Sequence, residues 1–277
     1  MKKIVYILST NYSGSHLLSL CIAGHSRFQH IGEAKSLRYN KHPDRQRCGI
    51  CNGHENCPVL RGITPNNIDN IYDIVFSNIG PGVHGLVDNS KKPFWAQRFL
   101  SDKRYEKKMV FLLRDPRALM RRWLIDEKLN LFHERLKLLK YPPRYLKKSI
   151  LGDPVDIYLG KWLQQNWKIL NFINKYNLDS FLLTYHDLVI NEAEVLPDLM
   201  NWLGERYEPG QEKYWNFTHH GSTKPEYRET KDIQLDCRWK DYLEQEQQDR
   251  ITSDRYIRAF IKQCGMTMND DGLTVFA

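Results

Sequence analysis

The 277-residue sequence has no apolar run long enough to cross a bilayer as a helix, which excludes a helical membrane span within it. The pattern G-x-x-x-x-G-K-[ST] is also missing, and with it the lysine of a Walker-type phosphate loop. Internal repeats and low-complexity tracts are lacking, so a solenoid, an array or a disordered linker is not expected. Charge is not gathered into a tail or a stripe. The 41 Lys and Arg stand against 33 Asp and Glu along the whole chain and leave a net charge of +8. That sign suits nucleic acid, an anionic membrane surface or a nucleotide. With no stripe and no recognisable nucleic-acid module, no nucleic acid is expected, and a nucleotide accounts for the charge.

What is present reads as a globular α/β chain. Hydrophobic residues at 41% and charged residues at 27% are ordinary for a soluble fold. The length allows a sizeable core in one domain spanning 1–277, although length alone would also permit two. Lys2 and Lys3 before apolar residues 4–8 look like the start of a signal peptide. Asn11, Tyr12, Ser13 and Gly14 interrupt the apolar core, so the expected location is cytoplasmic.

Residues 3–18 are the most informative. An apolar, β-branched run at 4–8 ends in a polar loop, and an apolar helical pattern starts at once with Leu17, Leu18, Leu20 and Ile22. Strand, tight loop and helix N-terminus together form an anion site, because free N–H groups and the positive end of the helix dipole meet there. Gly14 permits close backbone approach, and Ser13 and Ser15 add hydroxyl donors. A plain turn with a serine N-cap fits the same residues.

A second segment narrows the reading. Residues 108–113 form a buried strand pattern that runs into Arg114-Asp115-Pro116-Arg117-Ala118. Pro116 suits the first turn of a helix and Asp115 its N-cap. Arg114 falls at a strand's C-terminal end, where open parallel sheets bind ligands, and its forked donors suit a phosphate. The alternation of strands near 3–9, 28–31, 84–87, 108–113 and 180–184 with helices near 15–23, 93–101 and 155–176 implies a parallel sheet. Segments 34–66 and 206–238 read as irregular, and both are placed over the sheet's open end.

These residues resemble the sulfotransferases that use 3′-phosphoadenosine 5′-phosphosulfate (PAPS), especially their bacterial branch. The resemblance rests on the Ser13-Gly14-Ser15 loop, Gly32-Glu33 after strand two, Asp88-Asn89-Ser90-Lys91 after strand three and the Arg114 segment. Tyr185-His186-Asp187-Leu188-Val189 adds to it, and His219-His220-Gly221-Ser222 and Asp236-Cys237-Arg238-Trp239-Lys240 do so less specifically. It implies an α/β, P-loop-like three-layer fold with a central parallel sheet, and PAPS as co-substrate. It further implies sulfuryl transfer to a hydroxyl or amine of a small-molecule or glycan acceptor. The donor loop would be Thr10, Asn11, Tyr12, Ser13, Gly14, Ser15 and His16, with Arg114 and Arg122 at the 3′-phosphate. Glu33 would be the base and Lys91 the cation at the leaving oxygen. The simpler readings are a Glu33 that caps a helix or pairs with Lys35 or Arg38, and a solvated Lys91. Lys224 and Arg228 are placed over the nucleotide on the same analogy.

Three positions depart from the family pattern. Tyr12 stands where a Lys or Arg is usual, Arg122 where a Ser is usual, and His16 replaces a small hydroxyl residue. Two other functions therefore stay open: a degenerate fold that binds a nucleotide or partner, and a P-loop phosphotransferase. Against the latter stand the missing Walker lysine and the lack of an evident magnesium carboxylate. Cys48, Cys51, His54 and Cys57 form C-x2-C-x2-H-x2-C, residue types that suit tetrahedral zinc or remain as free thiols. By the resemblance this cysteine-bearing insert at about 34–66 is a staple or lid, and no metal is assigned to catalysis. His219-His220 read as structural or as site residues. Cys21, Cys237 and Cys264 read as isolated.

Overall fold

The structure, a computed structural model, describes residues 1–38, 48–51, 53, 55–126, 130–139, 151–221 and 232–275. Strand β1 is Lys3–Ser9, helix α1 Ser15–Ala23 and strand β2 Phe28–Gly32. Helix α2 (Ile71–Asn78) leads to β3 (Gly85–Lys91), α3 (Pro93–Gln97), β4 (Glu106–Leu113) and α4 (Pro116–Arg121). Then come α5 (Leu131–Leu139), the long α6 (Pro154–Lys175), β5 (Ser180–Thr184), α7 (Tyr185–Ile190) and α8 (Glu192–Trp202).

Strands β1 to β5 form one parallel sheet in the order β2-β3-β1-β4-β5. The chain leaves β1 first toward β3 and β2, then returns to its other side for β4 and β5. That reversal opens a crevice at the C-terminal edge beside β1. β1 is buried on both faces, as the short β-branched run predicts. Ile4, Tyr6 and Leu8 face a core shared with α2 and α6, while Val5 and Ile7 face one shared with α1 and α8. Each such side chain contributes about 1.5–3 kcal/mol on burial. The result is the expected three-layer α/β architecture around a parallel sheet.

Three local expectations change. β3 was expected at 84–87 but runs on through Lys91, because Asp88, Asn89 and Ser90 are buried polar residues with internal partners rather than a loop. The helix expected over 93–101 stops at Gln97. The irregular stretch at 34–66 contains a 3-10 turn at Ala34–Arg38, and a further short hairpin pairs Thr267–Met268 with Leu273–Thr274. No helix among the described residues is long and apolar enough to cross a membrane.

Candidate active site

The site is built where the five parallel strands end. In the sheet register Leu8 lies beside Lys91, Gly32 beside Asp88, Ser9 beside Leu112 and Leu113 beside Thr184. The next residues on these strands, Glu33, Thr10 and Arg114, therefore emerge along one edge.

The loop after β1 is held from within. Thr10 and Ser13 share a hydroxyl hydrogen bond of 2.5 Å, and both are buried with Ser15. Gly14 caps α1 with φ 86°, a left-handed conformation that favours glycine. A Cβ at Gly14 would meet Tyr185 Cδ2 at 2.4 Å, so the Tyr185 ring packs directly on the loop backbone. α1 thus starts from glycine, not from a serine cap. Tyr12 also has positive φ, 68°, and its side chain is exposed. Asn11 is exposed beside it.

Two guanidinium groups bracket Tyr12. Arg114 Nη1 donates to the Tyr12 carbonyl at 2.8 Å, and Arg122 lies over the Tyr12 ring, 4.6 Å from its centroid. The cation that Tyr12 itself lacks therefore stands on its ring. Arg114 also stacks on Tyr185 at 4.3 Å, and its carbonyl accepts from Trp162 Nε1 at 2.9 Å. Asp115 caps α4 by accepting from Arg117 N, with Pro116 in the first turn, as the sequence pattern predicts.

Each arginine is partly engaged by a carboxylate. Arg114 Nη2 donates to Asp236 Oδ2 at 2.8 Å, and Arg122 Nη1 to Asp126 Oδ2 at 2.8 Å. Arg238 and then Arg114 outweigh burial and hold the Asp236 carboxyl down at about 2. A cleft beside Arg114 is lined by Tyr185, His186, Leu235, Asp236 and Trp239.

Glu33 is clamped by two lysines rather than capping a helix. Lys91 Nζ donates to Oε1, and Lys35 Nζ donates to Oε2 at 2.7 Å. Burial pushes the Glu33 carboxyl up, but Lys91 and Lys35 together outweigh it and bring it to about 2. Burial lowers Lys91, and the Glu33 charge opposes that shift. Lys92, crowded by burial and by Lys35 and Lys91, falls to about 8. Lys91 is half-buried with φ 68°, so it is neither solvated nor in relaxed strand geometry.

Asp88 shapes this corner but is itself fully engaged. Oδ2 accepts from Tyr72 OH at 2.8 Å and Trp95 Nε1 at 2.7 Å, while Oδ1 accepts from Ser90 N at 2.8 Å. Asn89 Nδ2 lies 3.4 Å from His16 Nδ1 and links this corner to the loop. His16 in turn packs edge-on against the buried His30.

A second cluster gathers Cys48, Cys51 and Cys57 around His220. His54, Lys224 and Arg228 lie outside the described residues. His219 is bound to the Tyr214 carbonyl at 2.8 Å. Cys21 is buried, and Cys237 and Cys264 are half-buried free thiols.

Sequence reasoning passed over Asp236 and Tyr185 as contacts of Arg114, and His220 as a neighbour of the cysteines. Asp236 and Arg114 are 122 residues apart, and no local spacing announces such a pair.

No protein-family model matches the sequence, and no curated protein sequence does. Solved structures do match over nearly the whole chain. The sulfotransferase domain from the curacin biosynthetic pathway is 17% identical, covering 96% of this chain and 98% of that one, with a TM-score of 0.57. The fold is that of the sulfotransferases. The sulfotransferase domain of the Synechococcus PCC 7002 olefin synthase matches at 16% identity, 97% and 98% coverage and TM-score 0.54. A sulfotransferase from Alicyclobacillus acidocaldarius matches at 14%, 96% and 95%, and 0.50. At these identities the sulfotransferase likeness describes the fold, and the chemistry must be argued from the residues.

Proposed function

We propose that the protein is a cytoplasmic, PAPS-dependent sulfotransferase acting on a hydroxyl or amine of a small-molecule or glycan acceptor. Residues 1–277 are read as one domain with an insert at about 34–66. The observation that carries the reading is the pair of guanidinium groups on either side of Tyr12, at the mouth of a loop whose glycine and hydroxyls suit an anion. Arg114 Nη1 and Nη2 each carry a second N–H beyond those given to the Tyr12 carbonyl and Asp236, so the fork keeps donors for a ligand.

Thr10, Asn11, Tyr12, Ser13, Gly14, Ser15 and His16 would hold the 5′-phosphosulfate, and Arg114 with Arg122 the 3′-phosphate. When bound, the donor supplies a sulfuryl group for direct in-line transfer. The acceptor oxygen or nitrogen forms a bond to sulfur as the bond from sulfur to the bridging oxygen breaks. Glu33 takes the acceptor proton, and Lys91 meets the charge that develops on the bridging oxygen. The two roles are coupled. While Lys91 and Lys35 clamp it, the Glu33 carboxylate is ionised but weakly basic. Recruitment of Lys91 toward an anion would loosen the clamp and raise the basicity of Glu33.

The phosphotransferase reading lacks support here, since Asp88 spends both carboxylate oxygens on internal donors. The degenerate binding-protein reading has the uncharged Tyr12 and the Arg114–Asp236 pair in its favour.

Calorimetry with adenosine 3′,5′-bisphosphate, the desulfonated product, tests the donor site with wild type and Arg114→Ala side by side. Binding that is lost in the variant is the expected result. A well-folded wild type that does not bind refutes PAPS dependence.

A further inference from the structure

The cysteine cluster has no part in the proposed transfer, yet its geometry is specific. Cys48 and Cys57 are fully buried, and Cys51 is half-buried. Their sulfurs lie 3.7, 3.6 and 3.4 Å from His220 Nδ1, for Cys48, Cys57 and Cys51 in turn. All four atoms fall within 4.8 Å of one another. A tetrahedral zinc ion with bonds of about 2.3 Å to sulfur and about 2.0–2.1 Å to nitrogen has a sulfur-to-nitrogen edge of about 3.5–3.6 Å. The three distances straddle that edge.

We propose that Cys48, Cys51, Cys57 and His220 bind one structural zinc ion, the histidine through Nδ1. Three thiolates and an imidazole are a soft set that favours zinc over magnesium or calcium. Four protein ligands close the tetrahedron and leave no position for substrate, so the ion braces the fold. A disulfide would use only two of the three sulfurs.

Backbone donors already surround the sulfurs as they do around thiolate ligands. Leu60 N donates to Cys57 Sγ at 3.4 Å and Gly221 N to Cys48 Sγ at 3.5 Å, while Gly49 N donates to the Gly221 carbonyl at 2.8 Å. On binding, the thiol protons leave to the buffer and the imidazole binds as the neutral form. The ion would fasten residues 48–57 to residues 219–221. A Cβ at Gly221 would meet the His30 ring at 3.2 Å and Gly32 N at 3.3 Å, so the brace sits against the end of β2, next to Glu33.

The proposal does not depend on sulfuryl transfer, and its test reads the metal directly. Protein purified under reducing conditions without a metal-affinity tag is assayed for metals. The apoprotein is then titrated with zinc chloride and with cobalt chloride. About one zinc per chain is expected, and cobalt should give thiolate charge-transfer bands with the intense visible bands of a tetrahedral site. His220→Ala should weaken zinc binding more than roughly 100-fold, while His220→Cys should retain it with about a third more thiolate charge-transfer intensity. His54→Ala should leave binding intact. Should His220→Ala fail to fold, the wild-type cobalt spectrum still decides. A chain without stoichiometric zinc and with octahedral cobalt spectra would overturn the proposal. So would a disulfide within the cluster in the intact mass, or loss of zinc from His54→Ala but not from His220→Ala.

Discussion

Replacing Asp236 by asparagine should tighten binding of adenosine 3′,5′-bisphosphate and at the same time make the protein less stable. Asp236 Oδ2 sits 2.8 Å from Arg114 Nη2, and Oδ1 accepts from Arg238 Nε at 2.7 Å. A phosphate sharing the Arg114 fork would stand about 5 Å from this carboxylate, where like charges repel by about 3 kcal/mol at an effective dielectric near 20 and about 0.8 kcal/mol in water. The Asp236 side chain is 22% exposed, which places it between those limits. Relief of about 1–2 kcal/mol corresponds to roughly 5–30-fold in Kd. Calorimetry at low ionic strength reads this, and added salt should shrink the gain.

Stability moves the other way. The Asp236 carboxyl is held at about 2 against an ordinary 3.8, chiefly by Arg238 and with help from Arg114. A carboxyl lowered on folding contributes stability above its unfolded value and loses it as pH falls through its folded value. Wild type should therefore lose stability from about pH 4 to about pH 2 more steeply than the variant. At neutral pH the variant should be less stable by at most about 2 kcal/mol. Unchanged or weaker bisphosphate binding in a folded Asp236→Asn protein would refute competition for Arg114.

Arg122→Ala should weaken bisphosphate binding about tenfold or more and flatten its salt dependence, read by the same calorimetry; an unchanged Kd would mean the Arg122–Tyr12 stack serves the loop alone. Glu33→Gln should cut turnover by about 10²–10⁴-fold in a sulfuryl-transfer assay while bisphosphate affinity holds. Because Glu33 is lowered to about 2, wild type should also lose a stabilising contribution as pH falls from about 4.5 toward 2, a step the glutamine variant lacks in acid denaturation. Gly14→Ala should cost about 1–2 kcal/mol from the left-handed backbone alone, with a further loss from the Tyr185 ring, seen as a lower urea midpoint.

Where local chemistry sets local structure, the sequence was legible. The run 4–8 with the glycine loop predicts β1 and α1, and the Asp115-Pro116 pair marks the start of α4. Polar residues misled where burial satisfies them. Asp88, Asn89 and Ser90 look like a loop, yet Tyr72, Trp95 and the strand's own backbone take up the Asp88 charge. Glu33 was readable as a candidate, but its clamp was not, because Lys91 lies on another strand and only the β1–β3 and β2–β3 registers bring it alongside. Cys48, Cys51 and Cys57 announce a cluster through spacing, whereas His220 joins it from more than 160 residues away.

The strand order has a consequence for how the chain is made. Among the described residues β1 pairs with β3 and β4, so Ile4 waits for Leu86 and Lys107 before its strand edges are covered. The intervening stretch of roughly 80 residues takes about 4–16 s at about 5–20 residues per second on the ribosome. Throughout that interval β1 is already made while both of its edges are open. Slowed elongation before β3 emerges would lengthen that exposure. Aggregation of the newborn protein should therefore respond to codon choice upstream of β3 more than to codon choice after β4.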